Sequence, residues 1–179
     1  MRFILASSSP RRKELLKKVV SDFCVIIPDA EETEEGTPEE IAKANAQRKG
    51  RAVAGERVIA CDTLVALNGK VYGKPHNTEN AEKMLTELSG KTHEVISGLY
   101  VRLGEKEYLS AERSTVTFYD LSPEKIKEYV DTYQPFDKAG AYGIQEWIGL
   151  IGITAIRGSY FNVVGFPTHL VYEMLMSFC

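Results

Sequence analysis

The chain has 179 residues, of which 44% are hydrophobic and 26% charged, and its net charge is −3. This composition is typical of one globular domain with a buried core, and the negative charge argues against binding nucleic acid over the whole surface. No apolar run approaches the roughly 20 residues of a membrane helix, the sequence begins without a signal-peptide pattern, and the three cysteines show no metal spacing, so we expect a reduced, cytoplasmic protein.

The first predicted elements are a short buried strand at Arg2–Ala6, a serine-rich turn and a helix. Ser9 is a good helix N-cap, and Pro10 suits the first helical position. Arg11 and Arg12 lie in the first turn, where cations are disfavoured unless an anion binds in front of them. From these residues alone, two interpretations stay open: a phosphate-binding turn, or an ordinary capped helix with solvated arginines.

Farther along the chain, strands and helices alternate irregularly. Strands are predicted at 23–27, 57–61, 93–103, 108–119 and 150–156, and a hairpin at 64–72, where Asn68-Gly69 favours a type I′ turn. Helices are predicted at 38–54, 79–88, 123–133 and 168–178. Because a hairpin interrupts the alternation, the pattern predicts an α/β fold with a mixed sheet.

Several polar residues follow predicted strands. Asp62 comes directly after an apolar strand, where α/β folds place ligand sites, although an aspartate there can also cap a turn. Glu31 and Glu32 begin an acidic run, which taken alone is more often a solvated turn. Lys49, on a predicted helix, and Lys74, after the hairpin, are surface lysines when each is considered alone.

The segment DKAGAYGIQ, residues 137–145, contains Gly140 and Gly143. Close backbone approach to a ligand would explain these glycines, and so would a plain turn. Taken together, the polar residues fit phosphate chemistry, since cationic side chains neutralise a polyphosphate and carboxylates hold a divalent cation or activate water. The three histidines are well separated, which gives little support to nucleophilic acyl chemistry.

Eight segments in order along the chain carry a resemblance to a known family: SSSPRR at 7–12, Glu31-Glu32, QRKGRA at 47–52, CDT at 61–63, YGKP at 72–75, LSGKTHEVISG at 88–98, DKAGAYGIQ at 137–145 and GSYFNVVGFP at 158–167. Through them the sequence resembles the Maf family of nucleoside triphosphate pyrophosphatases. The resemblance implies a single domain over residues 1–179 with an inosine triphosphate pyrophosphatase-like fold, a twisted mixed sheet with flanking helices in two lobes around a deep cleft. It also implies hydrolysis between the α and β phosphates, with Mg²⁺ or Mn²⁺ as cofactor.

The resemblance also assigns roles by position. It implies that Asp62 is the proton acceptor that activates water, that Lys49 and Lys74 act beside it, and that Glu31 and Asp62 hold the metal. The residues that it implies for substrate binding are Ser9, Arg11, Arg12, Thr63 and Gln145. Of these, Arg11, Thr63 and Gln145 resemble the branch that acts on dTTP and UTP; the branch that acts on 7-methyl-GTP has tryptophan in the first of these places. The departures are Cys61, where glycine is usual, and Gly50, where alanine is usual.

A second class of function stays open at this point, a nucleotide-binding regulator of cell division without turnover. Both classes need the cationic residues, but only an enzyme needs Asp62 together with metal-binding carboxylates. A nucleic-acid-binding protein is disfavoured by the net charge and by the absence of an interleaved basic and aromatic stripe. The predicted partner is therefore a nucleotide, with no nucleic acid and no membrane, and homodimer formation is left open.

Overall fold

The structure is a computed structural model that describes residues 2–177. Within these residues the strands are β1 (Phe3–Ala6), β2 (Phe23–Ile26), β3 (Arg57–Leu67), β4 (Lys70–Tyr72), β5 (Thr92–Leu103), β6 (Lys106–Phe118) and β7 (Ile153–Arg157). They form one sheet in the order β2-β1-β3-β5-β6-β7, with β4 paired to β3. β1 is parallel to β2 and β3, whereas β3–β4 and β6–β7 are antiparallel, which confirms the predicted mixed sheet.

The described helices are α1 (Pro10–Lys17), α2 (Pro38–Arg51), α3 (Thr78–Leu88), α4 (Pro123–Tyr133), α5 (Trp147–Gly152), α6 (Tyr160–Val164) and α7 (Thr168–Met176). Ser9, Thr37 and Ser122 cap α1, α2 and α4 through their side-chain oxygens, as their places before Pro predict. None of the helices in the described part of the chain has both the length and the apolar character needed to cross a membrane.

The chain divides into two compact units. The first unit contains the described residues up to Thr63, Ile96–Glu112 and the described residues from Gly165 onward; the second contains Leu64–Val95 and Arg113–Val164. Each unit has its own buried apolar cluster. The cluster of the first unit includes Ala6, Ala46, Val58, Ala60 and Tyr100, and the cluster of the second includes Leu85, Leu88, Val116, Phe118, Tyr129 and Ile148.

β3 is longer than the sequence predicts. The predicted strand ends before Asp62, but the observed strand continues through this residue to Leu67. Val58–Ala60 pair with β1 and Val65–Leu67 pair with β4, so backbone pairing is present on both sides of the polar position. Asp62 therefore projects from the middle of a strand, and the prediction that it follows a strand end is wrong.

The segment around residue 150 also differs from the prediction. A strand was expected at 150–156, but Trp147–Gly152 form α5 and the strand begins at Ile153. A short apolar run cannot be assigned to strand or helix by periodicity alone. Helix α6 was not predicted, and the predicted end of the last helix at Phe178, like Cys179, lies outside the described residues.

Candidate active site

The predicted site residues are distributed over both units. Ser9, Arg11, Arg12, Glu31, Lys49, Asp62 and Thr63 lie in the first unit, and Lys74 and Gln145 lie in the second.

Asp62 is buried, with an accessible fraction of 9%. Its Oδ1 atom is 2.5 Å from Nζ of Lys49, and its Oδ2 atom is 3.5 Å from Nδ2 of Asn45. A buried carboxylate without a partner is costly, so the ammonium of Lys49 compensates the charge of Asp62. Because a carboxylate offers about four acceptor positions, Oδ2 keeps the capacity to accept a further hydrogen bond.

Lys49 reaches Asp62 from the last turn of α2. Its Nζ atom also lies 2.7 Å from Oε1 of Glu32, so one ammonium group joins two carboxylates. The side chains of Lys49 and Asp62 are 13% and 12% exposed, whereas that of Glu32 is 51% exposed. The structure therefore brings together two of the residues predicted to be catalytic, and adds a carboxylate at the solvent side.

Asn45 positions the acidic segment. Its Oδ1 atom accepts a hydrogen bond from the backbone N–H of Thr33 at 2.7 Å, and its Nδ2 atom donates one to the Thr33 carbonyl at 3.1 Å. Arg48 donates to the backbone carbonyl of Glu31 at 3.2 Å. The carboxylate of Glu31 itself is exposed and forms no hydrogen bond or ion pair with any of residues 2–177. In this structure Glu32, and not Glu31, therefore reaches the ammonium group of Lys49.

The donor set around Lys49 fits a divalent cation that binds together with a nucleotide. In the described part of the chain, no three His, Cys, Asp or Glu residues form a group that could hold a metal ion. Mg²⁺ is usually bound by only one or two carboxylates together with substrate phosphate oxygens. Asp62 and Glu32 supply two such carboxylates, both within 2.7 Å of the same ammonium group.

Arg12 connects the start of α1 to β3. Its Nε atom donates to the carbonyl of Gly165 at 2.9 Å, Nη1 donates to the carbonyl of Cys61 at 2.6 Å, and Nη2 donates to Oγ1 of Thr63 at 3.1 Å. Ser9 accepts the backbone N–H of Arg12 at 3.4 Å as the helix cap. Since a guanidinium group has five N–H donors, two remain for a ligand.

Thr63 belongs to the same network. Its hydroxyl is 2.8 Å from the hydroxyl of Ser97 and 3.1 Å from the carbonyl of Gly165. Cys61, two residues earlier, is fully buried, and burial raises the pKa of its thiol. A thiol that stays protonated is a poor nucleophile, so Cys61 contributes packing. Arg11 is half-buried in the first turn of α1.

In the second unit, the structure brings the segment of Lys74 next to the glycine-rich segment. The backbone N–H of Gly140 donates to the carbonyl of Gly73 at 3.1 Å. The Lys74 side chain is exposed, and its ammonium group forms no ion pair with any residue of the described chain. Gly140 has φ of +68°, and a Cβ atom there would lie 2.9 Å from Cγ2 of Val65, so packing inside the unit explains this glycine.

Gln145 is exposed at the end of a buried run. Residues 140–144 are buried, and the backbone N–H of Glu146 donates to the carbonyl of Gly143 at 3.0 Å, which closes a turn around Gln145. The carboxylate of Glu146 lies 3.0 Å from Nζ of Lys138 and accepts a hydrogen bond from the hydroxyl of Tyr129. A rigid turn therefore presents the amide of Gln145 to solvent.

A buried histidine supports the same segment from the other side. Nε2 of His93 is 2.8 Å from the hydroxyl of Tyr142, and both rings pack edge-to-face with Phe118. Burial lowers the pKa of His93 to about 4 and raises that of Tyr142. Both side chains are therefore neutral near pH 7.

Sequence reasoning did not assign roles to Glu32, Asn45, Tyr129 or Glu146. Asn45 precedes Lys49 by four positions, which places the two on one face of a helix, so this spacing was a signal that could have been used. The acidic pair was recognised, but the sequence does not distinguish its two members. Tyr129 and Glu146 are 17 positions apart, and no local pattern connects them.

Comparison with known proteins identifies the family to which the chain belongs. A family model described as "Maf-like protein" matches residues 2–178. The chain is 48% identical to a dTTP/UTP pyrophosphatase of Phocaeicola vulgatus, over 97% of this chain and 94% of that protein. It is 44% identical to a dTTP/UTP pyrophosphatase of Thermococcus gammatolerans, over 96% of this chain and 94% of that protein.

A similar fold is present among solved structures. The Staphylococcus aureus Ham1 protein matches with a TM-score of 0.59 and 20% sequence identity, over the whole of both chains. At this identity the likeness shows the fold alone. It agrees with the mixed sheet and flanking helices described above, so the predicted α/β fold class with a mixed sheet is confirmed.

Proposed function

Because the chain belongs to the Maf-like protein family, we propose that it hydrolyses dTTP and UTP to the nucleoside monophosphate and pyrophosphate. The observation that carries this proposal is the buried Asp62 carboxylate, oriented by Lys49 and keeping acceptor capacity at Oδ2. The curated relatives are named for the same activity.

In the proposed reaction, Asp62 accepts a proton from a water molecule. The water oxygen forms a bond to the α phosphorus, and the bond between this phosphorus and the bridging oxygen breaks, so that pyrophosphate leaves with the electron pair. Lys49 fixes the rotamer of the carboxylate through Oδ1, which leaves Oδ2 for the water. A positioned general base of this kind usually contributes roughly 10²–10⁴ in rate.

Asp62 and Glu32 are the residues proposed to hold a divalent metal, Mg²⁺ or Mn²⁺, and Glu31 remains the candidate that follows from the family resemblance alone. When bound, such a metal neutralises charge on the phosphate oxygens. Lys49 holds the two carboxylates together in the structure, since its ammonium contacts both, and its single positive charge leaves the three groups with one net negative charge.

The cationic residues are proposed to bind the triphosphate. Arg12 keeps two N–H donors beyond its three protein contacts, and Lys74 is exposed without an ion pair among the described residues. Ser9 and the first turn of α1 add a hydroxyl and a helix N-terminus, which favours anions.

Base selection is proposed for Arg11, Thr63 and Gln145. The triphosphate is common to all nucleotides, so discrimination requires contacts to the base. The amide of Gln145 offers both a donor and an acceptor, which match the N–H and carbonyl groups of uracil or thymine. Unpaired polar groups then disfavour other bases.

The proposal is tested with purified protein and a panel of UTP, dTTP, CTP, ATP, GTP and 7-methyl-GTP, with Mg²⁺ or Mn²⁺, measuring pyrophosphate against orthophosphate. We expect pyrophosphate from dTTP and UTP above CTP, and from all three above ATP and GTP. Orthophosphate as the only product, or full activity in EDTA, would contradict the reaction. A preference for GTP or 7-methyl-GTP would contradict only the assignment of the specificity residues.

No observation favours the alternative of a nucleotide-binding regulator without turnover. The proposed partner is the nucleotide, and a homodimer stays a proposal that gel filtration with light scattering would test. A cytoplasmic location is also proposed, because the three cysteines are few, widely spaced and without metal-ligand spacing in the sequence.

A further inference from the structure

One hydroxyl group in the second unit contacts both ends of the turn that carries Gln145. Tyr129 lies in α4 and is fully buried. Its hydroxyl accepts a hydrogen bond from the backbone N–H of Gly143, 3.1 Å away, and donates one to Oε2 of Glu146. Gln145 lies between these two residues in the chain, so Tyr129 holds the turn on both sides of the exposed amide.

Glu146 makes two further contacts inside the unit. Oε1 of Glu146 is 3.0 Å from Nζ of Lys138, and its backbone N–H donates to the carbonyl of Gly143 at 3.0 Å. A Cβ atom at Gly143 would lie 2.9 Å from Cδ of Glu146 and 3.0 Å from Cε of Lys138. The ion pair therefore packs directly on the backbone of the turn, which restricts its conformations.

We propose that Tyr129 is a positioning residue for substrate specificity, which fixes the place from which Gln145 contacts the base. This inference rests on the proposed role of Gln145 and extends it to a residue that does not touch the substrate. A fixed amide pairs with one arrangement of donors and acceptors, whereas a mobile amide adapts to several bases and must be ordered on binding. The Tyr129 hydroxyl supplies this restriction.

Tyr129→Phe tests the inference because it removes one oxygen atom and keeps the ring. We expect kcat/KM for UTP to fall about tenfold, mainly through KM, as for the loss of one hydrogen bond. The ratio of kcat/KM for UTP to that for CTP should fall as well. If Tyr129 had a merely structural role, kcat/KM would fall by the same factor for UTP and for CTP, and this ratio would not change.

Tyr100→Phe is a matched control. Tyr100 is also fully buried, and its hydroxyl donates at 2.7 Å to Glu107, which in turn pairs with Arg51. The substitution removes a hydroxyl of a buried tyrosine that donates to a paired glutamate, as at Tyr129, but in the first unit. We expect the UTP to CTP ratio of this variant to equal that of the wild type.

A double-mutant cycle with Gln145→Ala asks whether Tyr129 acts through Gln145. In the Gln145→Ala background, Tyr129→Phe should leave the UTP to CTP ratio unchanged. Should Tyr129→Phe not fold, Glu146→Gln and Glu146→Ala give the same comparison. The glutamine keeps an acceptor for the Tyr129 hydroxyl and should preserve the ratio, whereas the alanine should lower it.

Equal losses for UTP and CTP, or additive effects of Tyr129→Phe and Gln145→Ala, would overturn the inference. An unchanged ratio in Glu146→Ala would do the same. The proposed function fails in a different way, because wild-type protein would then release no pyrophosphate from UTP. The two failures are therefore distinguishable.

Discussion

Each of the two units contains a largely buried lysine whose ammonium group lies between two carboxylates. Lys49 is 2.7 Å from Glu32 and 2.5 Å from Asp62, and Lys138 is 2.7 Å from Asp137 and 3.0 Å from Glu146. In both clusters one carboxylate is about half exposed, at 51% for Glu32 and 54% for Asp137, and the other is largely buried. By residue type, distance and burial the two clusters are almost the same.

They differ in what the buried carboxylate does with its second oxygen. Oδ2 of Asp62 has only a contact of 3.5 Å with Asn45, whereas Oε2 of Glu146 accepts the hydroxyl of buried Tyr129. The open cluster, formed by Lys49, Glu32 and Asp62, therefore has one weakly held carboxylate oxygen. In the closed cluster, formed by Lys138, Asp137 and Glu146, both oxygens of Glu146 have close partners. Charge pairing therefore does not distinguish the two carboxylates, and the weakly held oxygen of Asp62 is the one that we propose to accept a proton from water.

Asp62→Asn tests the open cluster and has the largest expected effect. We expect kcat for UTP to fall by roughly 10²–10⁴, because the amide keeps the shape of the side chain but cannot accept a proton from water. Asp137→Asn, in the closed cluster, should leave kcat within about twofold. Near-normal kcat in a folded Asp62→Asn protein would reassign Asp62 to a structural role, with thermal unfolding as the check on folding.

Lys138→Met tests the closed cluster. The substitution leaves Glu146, whose side chain is 19% exposed, without its cation, and we expect the free energy of unfolding to fall by about 3 kcal/mol. Urea denaturation measures this change. Lys127→Met, which removes an exposed pair with Asp131, should cost less than about 1 kcal/mol. Equal losses in both variants would show that the closed cluster is not a structural element.

The sequence predicts these clusters only in part. Signals between adjacent residues are reliable, as in the cap at Ser9 and the turn at Asn68-Gly69, where both residues have positive φ. Signals that depend on distant residues are not. The local turn signal predicts the hairpin at 64–72, but it does not reveal that its first strand and the strand at 57–61 are one strand running through Asp62. The choice between Glu31 and Glu32 depends on a tertiary contact for the same reason.

Gly50 illustrates the same limit. As a glycine inside α2 it should weaken the helix by roughly 1 kcal/mol relative to alanine. In the structure a Cβ atom at this position would lie 2.0 Å from Cδ1 of Tyr100. The ring of Tyr100 therefore packs against the helix backbone, and the departure from the family pattern has a cause that only the packed structure reveals.

The buried His93, also in the second unit, should make the stability of the protein depend on pH. In the folded protein its pKa is lowered to about 4, from an ordinary value of 6.5. Between these two pH values the unfolded chain binds a proton at this histidine and the folded protein does not. The contribution of neutral His93 to the free energy of unfolding is therefore fully present above pH 6.5. It decreases as the pH falls toward 4, by about 2 kcal/mol at pH 5. Urea denaturation at pH 7 and pH 5 measures the loss, and His93→Gln should reduce it. The same difference in both proteins would exclude His93 as its source.

The half-exposed carboxylates give the smallest expected effect and the closest comparison. Glu32→Gln and Asp137→Asn each remove one charge from an ammonium group that keeps its second partner, so each should change the free energy of unfolding by less than about 1 kcal/mol. They should differ in metal binding. With a non-hydrolysable UTP analogue present, Glu32→Gln should weaken Mn²⁺ binding by roughly tenfold, since one anionic oxygen ligand is lost, and Asp137→Asn should leave it unchanged.

Calorimetric titration with Mn²⁺ measures this difference without relying on turnover, and Glu31→Gln completes the set. The described structure predicts little change for Glu31→Gln, because its carboxylate has no partner among residues 2–177, whereas Glu32 already lies 2.7 Å from Lys49. If Glu31→Gln weakened Mn²⁺ binding and Glu32→Gln did not, the metal ligand implied by the family resemblance would be the correct one.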